Sequence, residues 1–195
     1  MQKLYTNQIS LNWKPKGVPY GGAGEVREDG DANHGFKDVK GNLALLREIP
    51  ELNQDRYLNG LVHAIIAPRT GLFSIGCASD PVEDQNGFRH SGYVEFSINS
   101  ASAIADSRNY FPFFFHFDHM LHEGQFSKKV VFDWEFQPVT FIDAKATGFT
   151  CSVIVNTHYS TTKEEAEAAW ADALGVLQQF LGSIPREHND LIFGQ

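Results

Sequence analysis

Cysteine is scarce in this chain, clusters of basic residues are missing, and long apolar runs are absent. The two cysteines, Cys77 and Cys151, stand in apolar stretches and in no CxxC or other ligand spacing. That excludes a disulfide framework, and each thiol reads as a small buried hydrophobe. Lys128-Lys129 is the only basic doublet, and the net charge is −8. A protein that tracks phosphates needs concentrated Lys and Arg, so no nucleic acid is expected as partner, and no anionic membrane surface. Nothing approaches the ~18 apolar residues of a membrane span. The N-terminal MQKLYTNQIS lacks the apolar core of a signal peptide. A soluble, cytoplasmic protein is the expectation.

Complete catalytic signatures are missing too. Tyr20-Gly21-Gly22-Ala23-Gly24 is followed by Glu25 to Asp31 rather than by the lysine and helix of a phosphate loop. Asp29 and Asp31 match only the opening of a calcium loop. Ser74, Ser79 and Ser91 lie in no GxSxG elbow.

What remains suffices for one folded core: 195 residues, 42% hydrophobic and 21% charged. The division expected from composition is an N-terminal strand and Gly-rich arm over 1–58, followed by a core domain over 59–195. Leu4 to Trp13 reads as a short strand, Lys14 to Asn42 as Gly-rich arm, and Leu43 to Leu52 as a short helix interrupted by Pro50. Leu61 to Ala67 reads as a strand closed by Pro68, with Leu72 to Ala78 returning beside it and Ser79 to Gly92 as a polar loop. Tyr93 to Ile98 alternates, which predicts Tyr93, Glu95 and Ser97 on a wet face. Val130 to Phe136 alternates as well, with Val130, Phe132, Trp134 and Phe136 inward, and Phe149 to Val155 is the next strand. Thr161 to Leu181 carries an apolar stripe at three-and-four spacing behind a capping box, with Gly182 and Pro185 as its stop. The short tail docks through Leu191, Ile192 and Phe193. The fold class that follows is α+β: an antiparallel sheet of about five to six strands packed against a long C-terminal helix and an aromatic-rich helix.

That aromatic segment, Asn109 to Gly124, is the densest chemistry in the chain. As a helix it gathers Tyr110, Phe113, Phe114, Phe117, Met120 and Leu121 on one arc. His116, Asp118, His119, His122 and Glu123 take the other arc, and Phe111 and Phe115 fall outside the buried stripe. Asn109 would be the N-cap and Gly124 the stop. As a strand it sets His116 and Asp118 on one face. An HxD pair with a distant histidine such as His158 is the ligand set of non-haem Fe(II) sites. Ala168 stands where such an oxygenase would want a basic residue for its cosubstrate.

Three functional readings follow. The first is a non-catalytic binding or assembly protein that uses Phe111, Phe115 and the N-terminal arm against a protein partner or a second copy of itself. The second is a metal-dependent enzyme holding a divalent metal on His116, Asp118, His119, Glu123 and His158. The third is a small-molecule pocket between the sheet and the aromatic segment.

Overall fold

The apolar alternation of the strands and the stripes of the helices resolve into one mixed, mostly antiparallel sheet with its helices on one face. The computed structural model describes residues 4–20, 25–26, 32–33, 35–124 and 126–193. Its strands are β1 (Tyr5–Leu11), β2 (Lys16–Val18), β3 (Glu25–Val26), β4 (Ala32–Asn33), β5 (Leu72–Asp84), β6 (Gly87–Ile98), β7 (Val130–Phe141) and β8 (Ala146–Thr157). Its helices are α1 (Pro50–Gln54), α2 (Arg56–Ile66), α3 (Phe111–Glu123) and α4 (Lys163–Leu181). The main sheet runs β1-β7-β8-β6-β5, with β2 also on β7, while β3 and β4 form a separate ribbon. β1 and β2 are parallel to β7, and the other neighbours are antiparallel. The class is α+β, as the residue pattern predicts. The boundary expected at 58/59 falls inside α2, and β1 and β2 belong to the same sheet as the strands of the core. The Gly21–Gly24 stretch and Asp29–Asp31 lie outside the described residues.

Helices α2, α3 and α4 cover the face that carries Phe132, Trp134 and Phe136. Trp134 is fully buried. Its indole meets Phe117 at 5.5 Å, Phe114 at 6.1 Å, Phe96 at 6.2 Å and Phe180 at 6.3 Å between ring centroids. Edge-to-face packing of this kind adds to the gain from area burial alone. On the opposite face a smaller cluster forms from Phe36, Phe73, Phe141 and Phe193. The tail reaches it by wrapping around the end of the sheet. Asn99 clamps it there, donating to the Phe193 carbonyl at 2.7 Å and accepting from the Ile192 and Phe193 amides at 3.0 and 2.9 Å.

Four expectations change. Leu61 to Ala67 is helix, because Leu58, Leu61, Val62, Ile65 and Ile66 are all buried and share one helical stripe. The β-branched residues that suggested a strand pack instead between α4 and β5. Ser79 to Gly92 is mostly strand, since β5 and β6 pair without a break from Gly76↔Glu95 to Asp84↔Gly87. Ladder hydrogen bonds to a long partner override the polar composition there. β7 and β8 likewise continue to Phe141↔Ala146, so the bend expected over Gln137 to Gly148 shrinks to a short turn. The predicted wet face of β6 is dry at its end, with Glu95 5% and Ser97 0% exposed. Glu95 Oε1 is met by the Lys16 ammonium and accepts from Thr150 Oγ1 at 2.7 Å, so the carboxylate is buried as part of a partnered group.

Tyr110 ties the crossover between β6 and β7 to both β6 and β8. Its buried hydroxyl donates to the Phe149 carbonyl at 2.6 Å, shares a hydrogen bond with Ser97 Oγ at 2.8 Å, and accepts from the Ile98 amide at 3.3 Å. Burial also pushes the phenol well above the ordinary tyrosine range. Tyr110→Phe keeps the ring and removes the hydroxyl from all three partners. The expected loss is about 2 kcal/mol in urea unfolding, and a loss below about 0.5 kcal/mol would show the hydroxyl to be dispensable.

Candidate functional site

An edge strand offers unpaired amides and carbonyls, and proteins usually guard it with charge, proline or a bulge. The two edges of this sheet differ in that respect. β5 carries Asp80, Pro81, Glu83 and Asp84. β1 reads YTNQISL, with neither charge nor proline, and among the described residues its outer side pairs with no strand. Ile9 and Leu11 on β1 are 40% and 57% exposed, and Trp13 just beyond is 73% exposed.

Helix α3 completes this edge. Pro112 is accommodated in the first turn, and Gly124 closes the helix. The expected N-cap role of Asn109 is not realised. It lies in a short 3₁₀ turn, Ser107–Tyr110, that Asp106 caps by accepting from the Arg108 amide, and its own amide donates to the Ala103 carbonyl at 2.7 Å. Residues 111, 115, 118 and 122 share one stripe at helical spacing. Phe111 packs on Phe136, the register partner of Leu11, at 6.1 Å. Phe115 packs on Phe114, which lies against Trp134, the partner of Ile9. α3 therefore runs antiparallel to β1. Its exposed phenyls, Phe111 at 39% and Phe115 at 63%, stand beside Leu11 and Ile9.

The rest of the stripe is polar. Trp134 Nε1 donates to Asn7 Oδ1 at 3.0 Å, and Asn7 Nδ2 donates to Asp118 Oδ1 at 3.3 Å. Asp118 Oδ2 lies 3.6 Å from His122 Nε2, and His122 Nδ1 is 2.9 Å from the Tyr5 hydroxyl. These contacts tie α3 to β1 and β7. The edge groove thus has an apolar end at Phe111, Phe115, Ile9 and Leu11, and a polar end at Asp118, His122, Asn7 and Tyr5.

The predicted metal ligands are not drawn together. Asp118 turns to the groove, whereas His116, His119 and Glu123 project from other parts of the exposed surface of α3. His158 follows β8, with its amide bonded to the Lys129 carbonyl. Among the described residues no three His, Cys, Asp or Glu side chains are placed to hold a metal ion. Residue patterns within the aromatic segment point to Phe111 and Phe115 but not to Ile9, Leu11 and Trp13. The signal available for these was the uncharged alternation of Leu4 to Trp13.

Nucleophilic chemistry on the thiols is disfavoured. Burial, with Glu51 and Asp55 nearby, pushes the Cys77 thiol up to about 12, and burial raises Cys151 well above the ordinary thiol range. Both are expected to alkylate at pH 8 at least ~100-fold more slowly in the native protein than in urea. Labelling at the unfolded rate under native conditions would contradict this.

No helix among the described residues is long and apolar enough to cross a membrane. Comparison of the chain with known protein families, curated proteins and solved structures finds no match.

Proposed function

We propose that this is a non-catalytic assembly protein whose β1 edge, flanked by the α3 phenyls, pairs with the same edge of a second copy. One observation carries the reading: the unguarded edge strand and the five exposed apolar side chains Ile9, Leu11, Trp13, Phe111 and Phe115 belong to one region. They leave on the order of 600 Å² of apolar surface in water, at the upper end of what a monomer shows. That approaches the ~800 Å² per partner of a standard interface before any backbone pairing is counted.

The occupant is a second copy because the edge is complementary to itself. A twofold axis perpendicular to the sheet makes two β1 strands antiparallel and keeps both sets of helices on one side. With the axis at Ser10, Ile9 stands across from Leu11 and Asn7 across from Trp13, and the phenyls of the two α3 helices approach each other. With the axis at Gln8, Leu11 would face Tyr5 and the apolar end would meet the polar end. Of these two registers, apolar matching favours the one centred on Ser10. A chain of charge −8 repels its copy over most of its surface, and β1 is an uncharged strip where that repulsion is weakest. The free thiols Cys77 and Cys151 fit a reducing, cytoplasmic setting. Sedimentation equilibrium tests the reading: about twice the 21.8 kDa chain mass is expected, and a single-chain mass at all concentrations would refute it.

A further inference from the structure

A second feature stands apart from the β1 edge. A cavity of about 790 Å³ opens where the chain leaves α4 and crosses the end of the sheet. Its floor is apolar, with Ile98, Ala103 and Phe180 at 6%, 5% and 8% exposure and Phe113 half-buried. Over it runs the stretch Ile184 to His188. This strap is pinned by its backbone: the Gly71 amide donates to the Ile184 carbonyl at 3.1 Å, and the Arg186 amide donates to the Arg69 carbonyl at 3.0 Å. Further along, the Ala101 amide donates to the Asp190 carbonyl at 3.0 Å, and Asp190 accepts from the Ser102 amide and from Ser100 Oγ, each at 2.8 Å.

Arg186 is exposed and lines the cavity, and no described carboxylate forms an ion pair with it. A second cation lies close behind. Among the described residues the Lys40 ammonium donates to carbonyl and hydroxyl oxygens, those of Ala67, Thr70 and Leu72. Burial and the nearby Arg186 charge lower its pKa to about 8. Glu187 also lines this mouth but makes no ion pair with Arg186 among the described residues, so the guanidinium stays open to an anionic ligand, and the Lys40 charge behind it adds to the positive field. A guanidinium also presents the paired N–H groups that match a carboxylate. The volume lies within the range of small-molecule sites, and the mixture of apolar floor and few polar groups is typical of them.

We propose that this cavity binds a small amphipathic carboxylate, its hydrocarbon against Phe113, Phe180, Ile98 and Ala103 and its acid group on Arg186. The inference does not depend on the dimer. The test is calorimetric titration of the full chain with octanoate and with 1-octanol, for the wild type and Arg186→Gln. Exposed arginine is replaced without loss of core contacts, so the variant folds. Octanoate is expected to bind the wild type at least about tenfold more tightly than octanol. Arg186→Gln is expected to abolish that preference while leaving octanol affinity unchanged. Backbone amide shifts in the wild type on adding octanoate are expected at Phe113, His116 and Ile184. Absence of octanoate binding to the wild type, equal octanoate affinity in Arg186→Gln, or shifts confined to the β1 edge would each overturn the proposal.

Discussion

Leu11→Glu is expected to leave a folded protein that sediments as a single chain. Leu11 is 57% exposed, so the substitution removes little core and should change the stability of the isolated fold by no more than about 0.5 kcal/mol. The interface is a different matter. In the register centred on Ser10, each new carboxylate faces Ile9 of the other copy, close to the axis, and the two charges lie diagonally across it. Leaving charges unpaired in a closed apolar seam costs several kcal/mol, so the dissociation constant should rise by about a thousandfold or more over that of the wild type. Phe115→Glu is expected to act in the same direction from the helix side. A change at the rim, such as His119→Ala, should have little effect, because binding energy concentrates at the centre of an interface. The register has its own check. Ser10→Cys brings two thiols together on the axis and should yield a cross-linked pair under mild oxidation, whereas Gln8→Cys should not. Reversal of that pattern would mean the strands meet elsewhere. An unchanged mass for Leu11→Glu would remove β1 from the interface altogether.

The elements that could be read from residues alone were those whose pattern is local. The stripe and cap of α4 appear as spaced, with Thr162 accepting from the Glu165 amide at 3.2 Å. The inward row Val130, Phe132, Trp134 and Phe136 is buried throughout. In α3, Phe117 and Leu121 are buried while Phe111 and Phe115 are exposed, as helical geometry requires. What stayed hidden depended on partners distant in sequence. β1 becomes an edge only because it joins β7 more than a hundred residues later, with Tyr5 beside Val130. Glu95 looked like a solvent-facing residue because its alternation is correct and its counter-ion, Lys16, lies in the Gly-rich arm. The distal half of β5 looked like loop because Asp80, Pro81, Glu83 and Asp84 are strand breakers by composition. They are tolerated because β5 is an edge strand and all four of these side chains are exposed there. The edge residues Ile9 and Leu11 could be named as strand from the sequence, but their exposure could not.

The largest stability effect is expected at Asp55, which starts α2 and lies outside the strand expected over Leu61 to Ala67. Asp55 Oδ1 accepts from the Tyr57 and Leu58 amides at 2.8 and 3.0 Å. Its other oxygen, Oδ2, accepts from Ser79 Oγ on β5 and from Trp170 Nε1 on α4, each at 2.6 Å. One carboxylate thus caps α2 and fixes its start to both the sheet and the long helix. Losing a cap costs about 1 kcal/mol, and leaving donors without their charged acceptor adds about 1–3 kcal/mol more. Asp55→Ala should therefore lose on the order of 3 kcal/mol, a fall in melting temperature near 10 °C for a chain of this size. Asp55→Asn distinguishes the two halves of the role. Asparagine caps helices as well as aspartate, but its amide group would meet the Trp170 N–H donor to donor. A loss about half that of Asp55→Ala is expected, all of it at the Ser79 and Trp170 end. The pH dependence follows from the same contacts. Desolvation of Asp55 raises its pKa, yet the hydrogen bonds from Ser79, Leu58, Trp170 and Tyr57 outweigh it and hold the group below the ordinary carboxylate value of 3.8. The stabilisation is then complete above that value and is lost as pH falls through the folded-state pKa. The stability gap between wild type and Asp55→Ala should be constant from pH 5 to 7 and should narrow below about pH 4. A gap that is small at pH 7, or one that widens in acid, would mean that α2 is anchored by its apolar stripe alone.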